Sequence, residues 1–117
     1  MRMLKNYLNL EMTKGDTLSF GIEINKLGKA LDAAYFTCKK HYDDETIVFQ
    51  KALNNGITLD HYDSDGNYFY KLRVAPTDTQ NLEIGKYYYD VEIDVNDDVF
   101  TIMRGILTLE FDVKKGR

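Results

Sequence analysis

Leu82-Glu83-Ile84-Gly85-Lys86-Tyr87-Tyr88-Tyr89, running directly into the alternation Val91, Ile93, Val95, decides how the chain is read. The leucine and glycine mark a tight corner. After it, every second side chain is apolar, the period of a β-strand. A tyrosine at the start of such a strand can turn inward and return its hydroxyl to the backbone a few residues upstream, which locks a corner between two sheets. The stretch is therefore expected to open a late strand of a Greek-key β-sandwich.

Strand patterning continues on both sides of this corner. Asp16 to Ile24 alternates cleanly, with Leu18, Phe20, Ile22 and Ile24 on one face. Ala33 to Lys40 sets Ala34, Phe36 and Cys38 opposite Tyr35, Thr37 and Lys39. Thr46 to Leu53 reads as a third β-rich run centred on Ile47, Val48 and Phe49, closed by the turn Asn54-Asn55-Gly56, whose residues tolerate positive φ. Tyr68 to Val74 follows the Asp63-Ser64-Asp65-Gly66-Asn67 turn. The only proline, Pro76, opens a short helical turn through Asn81 that crosses between sheets. Lys86 to Val95 and Val99 to Val113 pair as a hairpin through Asn96-Asp97-Asp98, and Gly105 is expected to mark a bulge or bend. A weak helical period around Leu27 to Ala34 is overruled by the Leu27-Gly28-Lys29 connection, which reads as a loop. The expected fold is all-β, an Ig-like Greek-key sandwich of about seven to eight antiparallel strands, forming a single domain over residues 1–117.

Composition narrows the function classes. A chain of 117 residues with 44% apolar and 29% charged residues can bury one core without staples. Its net charge of −4 and pI near 5.1 argue against nucleic acid, which requires a clustered basic surface. The pairs Lys39-Lys40 and Lys114-Lys115 are too few to form one. With one cysteine and no tryptophan, the disulfide and core indole of antibody-type domains are both missing. Met1 to Leu10 carries no continuous apolar block, so neither a secretory signal nor a membrane span is expected, and synthesis is assigned to a cytoplasm.

No catalytic set emerges. Asp60, Asp63 and Asp65 with Gly66 suggest part of a calcium loop, but the first ligand position falls on His61 and the position for a bidentate glutamate falls on Leu72. An Asx-rich turn accounts for the cluster better. His41, His61 and Cys38 lack zinc-ligand spacing, and Cys38 reads as a small buried hydrophobe. The only serines, Ser19 and Ser64, stand in no nucleophile elbow. No apolar frame surrounds a carboxylate pair, and Lys14-Gly15-Asp16 is a lone glycine turn rather than a phosphate loop. The expectation is a non-enzyme without catalytic, cofactor-binding or metal-binding residues.

The aromatics divide by phase. Tyr87 and Tyr89 share the apolar face of Val91 and Ile93 and belong to the core. Tyr88, Tyr35 and Phe69 fall out of phase with their core neighbours. Such side chains either belong to an outer face covered by long side chains or serve as protein contacts, since aromatics supply much contact area at small entropy cost. These three are the candidate interface, expected on one outer face.

Five motifs occur in order: Lys14-Gly15-Asp16-Thr17, Leu31-Asp32-Ala33-Ala34, Pro76-Thr77-Asp78-Thr79, the Leu82-to-Tyr89 corner, and Thr101-Ile102-Met103-Arg104-Gly105. Together, across nearly the whole chain, they resemble small Ig-like sandwich proteins of tailed phages and prophages of Gram-positive bacteria, and are similar to the N-terminal domain of phage baseplate upper proteins. No coiled-coil or receptor-binding extension follows the sandwich in this sequence, so an accessory or adaptor protein is expected rather than a full baseplate role. The resemblance implies a non-enzymatic tail, neck or baseplate-associated structural protein, a virion component docking on other virion proteins and on itself. It implies no cofactor. The alternative is a carbohydrate- or host-surface-binding module using the tyrosines and the Asp60-to-Asn67 loop, assisted by calcium.

Overall fold

The computed structural model describes residues 6–113; Met1 to Lys5 and the Lys114-Lys115 pair lie outside the described residues. The strands are β1 (Asn6–Tyr7), β2 (Leu10–Thr13), β3 (Leu18–Ile24), β4 (Ala33–Lys39), β5 (Phe49–Leu53), β6 (Gly56–Tyr62), β7 (Tyr68–Val74), β8 (Gly85–Val95) and β9 (Asp98–Glu110). One short helix, α1 (Pro76–Thr79), lies between β7 and β8. The hydrogen-bonded order is β1-β9-β8-β4-β5-β6-β7-β3, with β2 also on β9. This sheet curls back on itself at a two-pair parallel junction, where Ala52 and Leu53 meet Gly56 and Ile57. A front layer of β2, β9, β8, β4 and β5 thereby faces a back layer of β6, β7 and β3. The arrangement is all-β and Ig-like: β3, β7 and β6 take the places of strands B, E and D, and β9, β8, β4 and β5 those of G, F, C and C′.

The core forms where the apolar phases of both layers meet. Ile57, Leu72 and Val74 of the back layer and Phe36, Val91, Ile93 and Leu107 of the front layer are all at most 1% exposed. The corner closes as its sequence predicts. The Tyr87 hydroxyl donates to the Glu83 carbonyl at 2.6 Å. In antibody-type domains the second cysteine stands two residues after the corner tyrosine; here that place holds Tyr89. Its ring stacks on Phe36 at 5.0 Å, and Phe36 in turn stacks on Phe49 at 5.9 Å. A stacked aromatic column thus occupies the centre, where a disulfide and tryptophan would otherwise sit.

The crossover between β7 and β8 is tied at several points. The Asp78 carboxylate accepts from the Ala75 N–H at 2.7 Å and from Lys51 Nζ at 2.8 Å. Thr79 is fully buried and accepts from the Gly15 N–H at 2.9 Å. Between β3 and β4 the chain is a loop, as read from Leu27-Gly28-Lys29, and it still buries Leu27 and Leu31. The Leu31 N–H donates to the Tyr70 hydroxyl at 2.8 Å.

Several expectations about strands need correction. Strands β1 and β2 pair parallel to β9, so the strands are not all antiparallel and number nine among the described residues. Only Met12 of these two short strands is buried, too little to show alternation. Strand β6 lacks a visible pattern because only Ile57 is buried and a register shift falls between Leu59 and His61. Strand β5 begins at Phe49 rather than Thr46, with Ile47 exposed. Finally, β9 ends at Glu110, and its bulge is not at Gly105 but at Ile102, since Val91 pairs with Met103 while Glu92 pairs with Thr101. The bulge lets the adjacent Ile102 and Met103 both be buried.

Gly105 has a different task. The segment between β1 and β2 crosses directly over it, and a Cβ there would stand 1.9 Å from the Leu8 carbonyl oxygen. That same carbonyl accepts from the buried Tyr89 hydroxyl at 2.5 Å. Gly105→Ala should therefore destabilise the domain by about 3 kcal/mol, near the upper end of ordinary overpacking costs. Tyr89→Phe should cost about 1–2 kcal/mol through the orphaned carbonyl. Urea unfolding of both variants checks the order of the two effects.

Candidate interaction surface

The outer side of the front layer is built from three cross-strand rows. Tyr35 of β4 stands between Ala52 and Glu92, and Glu92 opposes Thr101. Thr37 stands between Gln50 and Asp90, and Asp90 opposes Arg104, which meets Tyr7 of β1. Lys39 opposes Tyr88, which opposes Ile106. Side chains two apart on one strand share a face, so Tyr88, Asp90, Glu92 and Asp94 line up along β8 as one aromatic and three acids.

Two of the three sequence-predicted residues meet on this face. Tyr35 is 36% exposed beside a shallow depression of about 270 Å³ shared with Thr37, Gln50 and Glu92. Tyr88 is half-buried rather than exposed, because Tyr42, from the loop after β4, packs on it at 4.5 Å. Phe69 does not join them. It is on β7, between Glu23 and His61, on the outer side of the back layer. A single face bearing all three residues is not formed, because β7 belongs to the other half of the curled sheet.

Tyr42 and Arg104 complete the front face and were not legible as site residues. The Tyr42 hydroxyl donates to the Gly105 carbonyl at 3.2 Å, and the Arg104 guanidinium lies over the Tyr42 ring at 5.3 Å. Nothing in the sequence signals that the Tyr42 loop folds back over β8. The bulge at Ile102 likewise shifts the phase that would have marked Arg104 as outward-facing.

Charge along the face is divided: Asp90, Glu92 and Asp94 lie in file along β8, with Arg104 opposite Asp90 and Lys39 opposite Tyr88. Burial raises the Glu92 pKa, and the carboxylates of Asp94 and Asp90 raise it further. For Tyr42, burial is the main cause of a raised pKa, with Arg104 opposing it. In the interior, burial pushes the Cys38 thiol up to about 12, so it carries no thiolate at neutral pH and offers no nucleophile. Among the described residues, no group of three or more His, Cys, Asp or Glu is placed to hold a metal ion.

The Asp63-to-Asn67 segment is an Asx turn. Asp63 Oδ1 accepts from the N–H groups of Asp65 and Asn67 at 3.0 Å, and Oδ2 accepts from Asn67 Nδ2 at 3.1 Å. Hydrogen bonds from Asn67, foremost its backbone N–H, hold the Asp63 pKa below its ordinary value. Its carboxylate is occupied by the turn's own donors. The turn also joins the neighbouring loop, since the Lys26 N–H donates to Asn67 Oδ1 at 3.0 Å and the Gly28 N–H to the Gly66 carbonyl at 3.0 Å.

Fold and surface together define an immunoglobulin-like β-sandwich with an aromatic and acidic front face. The sequence matches no protein-family model and no curated protein. Among solved structures, the chain is similar to the extracellular domain of the voltage-gated sodium channel β4 subunit, at 15% identity and a TM-score of 0.42, covering 97% of this chain and 98% of that one. It is also similar to the NK cell receptor NKp44, at 14% identity and a TM-score of 0.40, covering 92% and 99%. These likenesses are too distant to transfer a partner or an activity.

The raised Glu92 pKa gives a signed pH effect. Between a glutamate's ordinary 4.5 and its higher value in the fold, the native state binds a proton that the unfolded chain has released. Stability from this group is therefore greatest below that window and declines as pH rises through it. Glu92→Gln should be more stable than the parent at pH 7, with the gain vanishing below about pH 4.5. Thermal melts of both proteins across this range test the sign.

Proposed function

We propose that this chain is a non-enzymatic protein-docking module of a tailed phage or prophage, a virion component in the tail, neck or baseplate. The order of five motifs from Lys14-Gly15-Asp16-Thr17 to the Thr101-to-Gly105 return supports the phage assignment. The observation that carries the docking role is the front face: exposed Tyr35 and the Tyr42–Tyr88 pair flank the Asp90, Glu92 and Asp94 ridge. Surface tyrosines are enriched in protein contacts, and repetition by virion symmetry would multiply weak contacts into avidity.

Partner chemistry follows from the ridge. A two-fold symmetric pairing centred on Glu92 would bring that carboxylate against its own copy, which is unfavourable. Other virion proteins presenting lysine or arginine are the favoured occupants, and self-association would use a pairing that displaces the two ridges.

Tyr35→Thr, which adds no charge beside Glu92, should keep the fold at a cost of no more than about 1 kcal/mol in cross-strand packing and weaken association at least tenfold. Tyr88→Ala should weaken association too, and also lower stability by about 1 kcal/mol through loss of the tilted ring contact with Tyr42. Cross-linking mass spectrometry on purified particles, with sedimentation of the variants, provides the measurement. Absence of the chain from particles, or unchanged association of both variants, would overturn the reading.

A further inference from the structure

The outer side of the back layer carries a second constellation, remote from the front face. Three strands meet there in register, with Phe69 of β7 between Glu23 of β3 and His61 of β6. The register shift between Leu59 and His61 leaves Asp60 unpaired as the extra residue and brings His61, instead of Asp60, opposite Phe69. Bulges of this kind re-aim side chains and are frequent beside binding sites. The result is a flat stack: the His61 and Phe69 rings lie 4.2 Å apart at 9°. Behind it, the Asp60 carboxylate holds His61 Nδ1 at 2.7 Å.

Beside the stack a side chain is missing. Gly21 opposes Lys71, one row along from Glu23 and Phe69. Its φ is not in the left-handed region, and a Cβ there would meet only the Tyr70 carbonyl oxygen, at 3.8 Å. Neither backbone conformation nor packing demands glycine at this position. Its consequence is an open depression of about 300 Å³, lined by Gly21, Glu23, Asp60, His61, Phe69 and Lys71.

We propose that this depression binds a single neutral saccharide ring. The size matches the smallest ligand pockets, about 300 Å³. An aromatic platform takes the C–H face of a pyranose, while carboxylates and an ammonium around it pair with hydroxyls, which both donate and accept hydrogen bonds. Glu23 and Asp60 disfavour a phosphate or other anion, and Lys71, directly across from Gly21, disfavours an organic cation. A hydroxyl-rich neutral ring is compatible with both signs of charge. The site is independent of the front-face docking role, and either can fail without the other.

The test is an NMR titration of the ¹⁵N-labelled chain with methyl glycosides of glucose, galactose, rhamnose and N-acetylglucosamine, up to about 50 mM, which saturates a millimolar site. At least one glycoside should give saturable amide shifts confined to Gly21, Glu23, His61, Phe69, Lys71 and their neighbours. Gly21→Thr fills the depression with a strand-compatible side chain and should abolish those shifts while the remaining spectrum stays folded. Phe69→Leu keeps apolar volume but removes the ring face, should weaken binding at least tenfold, and decides the matter if Gly21→Thr misfolds. The proposal is overturned if no glycoside gives saturable shifts, or if a folded Gly21→Thr variant responds like the parent. It is equally overturned if tetramethylammonium or inorganic phosphate produces the same shifts at lower concentration.

Discussion

The Tyr89 side chain joins the parts of this sandwich that no covalent link holds. Its ring stacks on Phe36 in the centre of the front layer, and its hydroxyl reaches the Leu8 carbonyl where the N-terminal segment crosses Gly105. A disulfide between the layers would contribute about 2–4 kcal/mol, chiefly through the unfolded state. Burial of two large aromatic side chains contributes about 1.5–3 kcal/mol each, and their stacking adds about 0.5–1.5 kcal/mol. The aromatic column is of comparable magnitude, although it ties β8, β4 and β5 within the front layer rather than one layer to the other. Unlike a disulfide, it acts in the folded state, and the hydroxyl's tie to Leu8 accompanies a backbone crossing so close to Gly105 that no side chain fits there.

That tie also fixes which strand edges are open. Because Leu8 is drawn onto β9, β2 continues along β9 in parallel, and β3 keeps β7 as its one strand partner among the described residues. The outer sides of the two layers then develop differently. On the front layer, the Tyr42 loop covers Tyr88 and leaves an acid ridge beside exposed Tyr35. On the back layer, a bulge and a glycine leave a depression next to a flat aromatic stack. The front offers a wide, charged surface suited to another protein; the back offers a recess suited to a small ring.

How far the sequence was legible depended on whether a feature was periodic. Strands β3, β4, β7 and β8 alternate, and their bounds are legible in the sequence to within a residue or two. The corner tyrosine, the helical turn after Pro76 and the loop after Ile24 were equally readable, because corner spacing, proline and glycine act locally. Strand β6 was not readable, since one buried residue and a bulge erase its period. The outward phase of Tyr35 and Tyr88 is legible, but the half-burial of Tyr88 under Tyr42 is not. Their separation from Phe69 was invisible, because phase says whether a side chain points outward but not from which layer.

By itself, then, the sequence determined the all-β class, the corner locked by Tyr87, the aromatic interior without disulfide or tryptophan, and the outward phase of three aromatics. These follow from local chemistry and a two-residue period. Only the tertiary structure decided that the sheet curls at Ala52 and Gly56, that Phe69 lies apart from Tyr35 and Tyr88, that Tyr42 covers Tyr88, and that Gly105 admits the Leu8 carbonyl. Each of these is a contact between segments distant in the chain, set by how the two layers close on one another, and no local period encodes it.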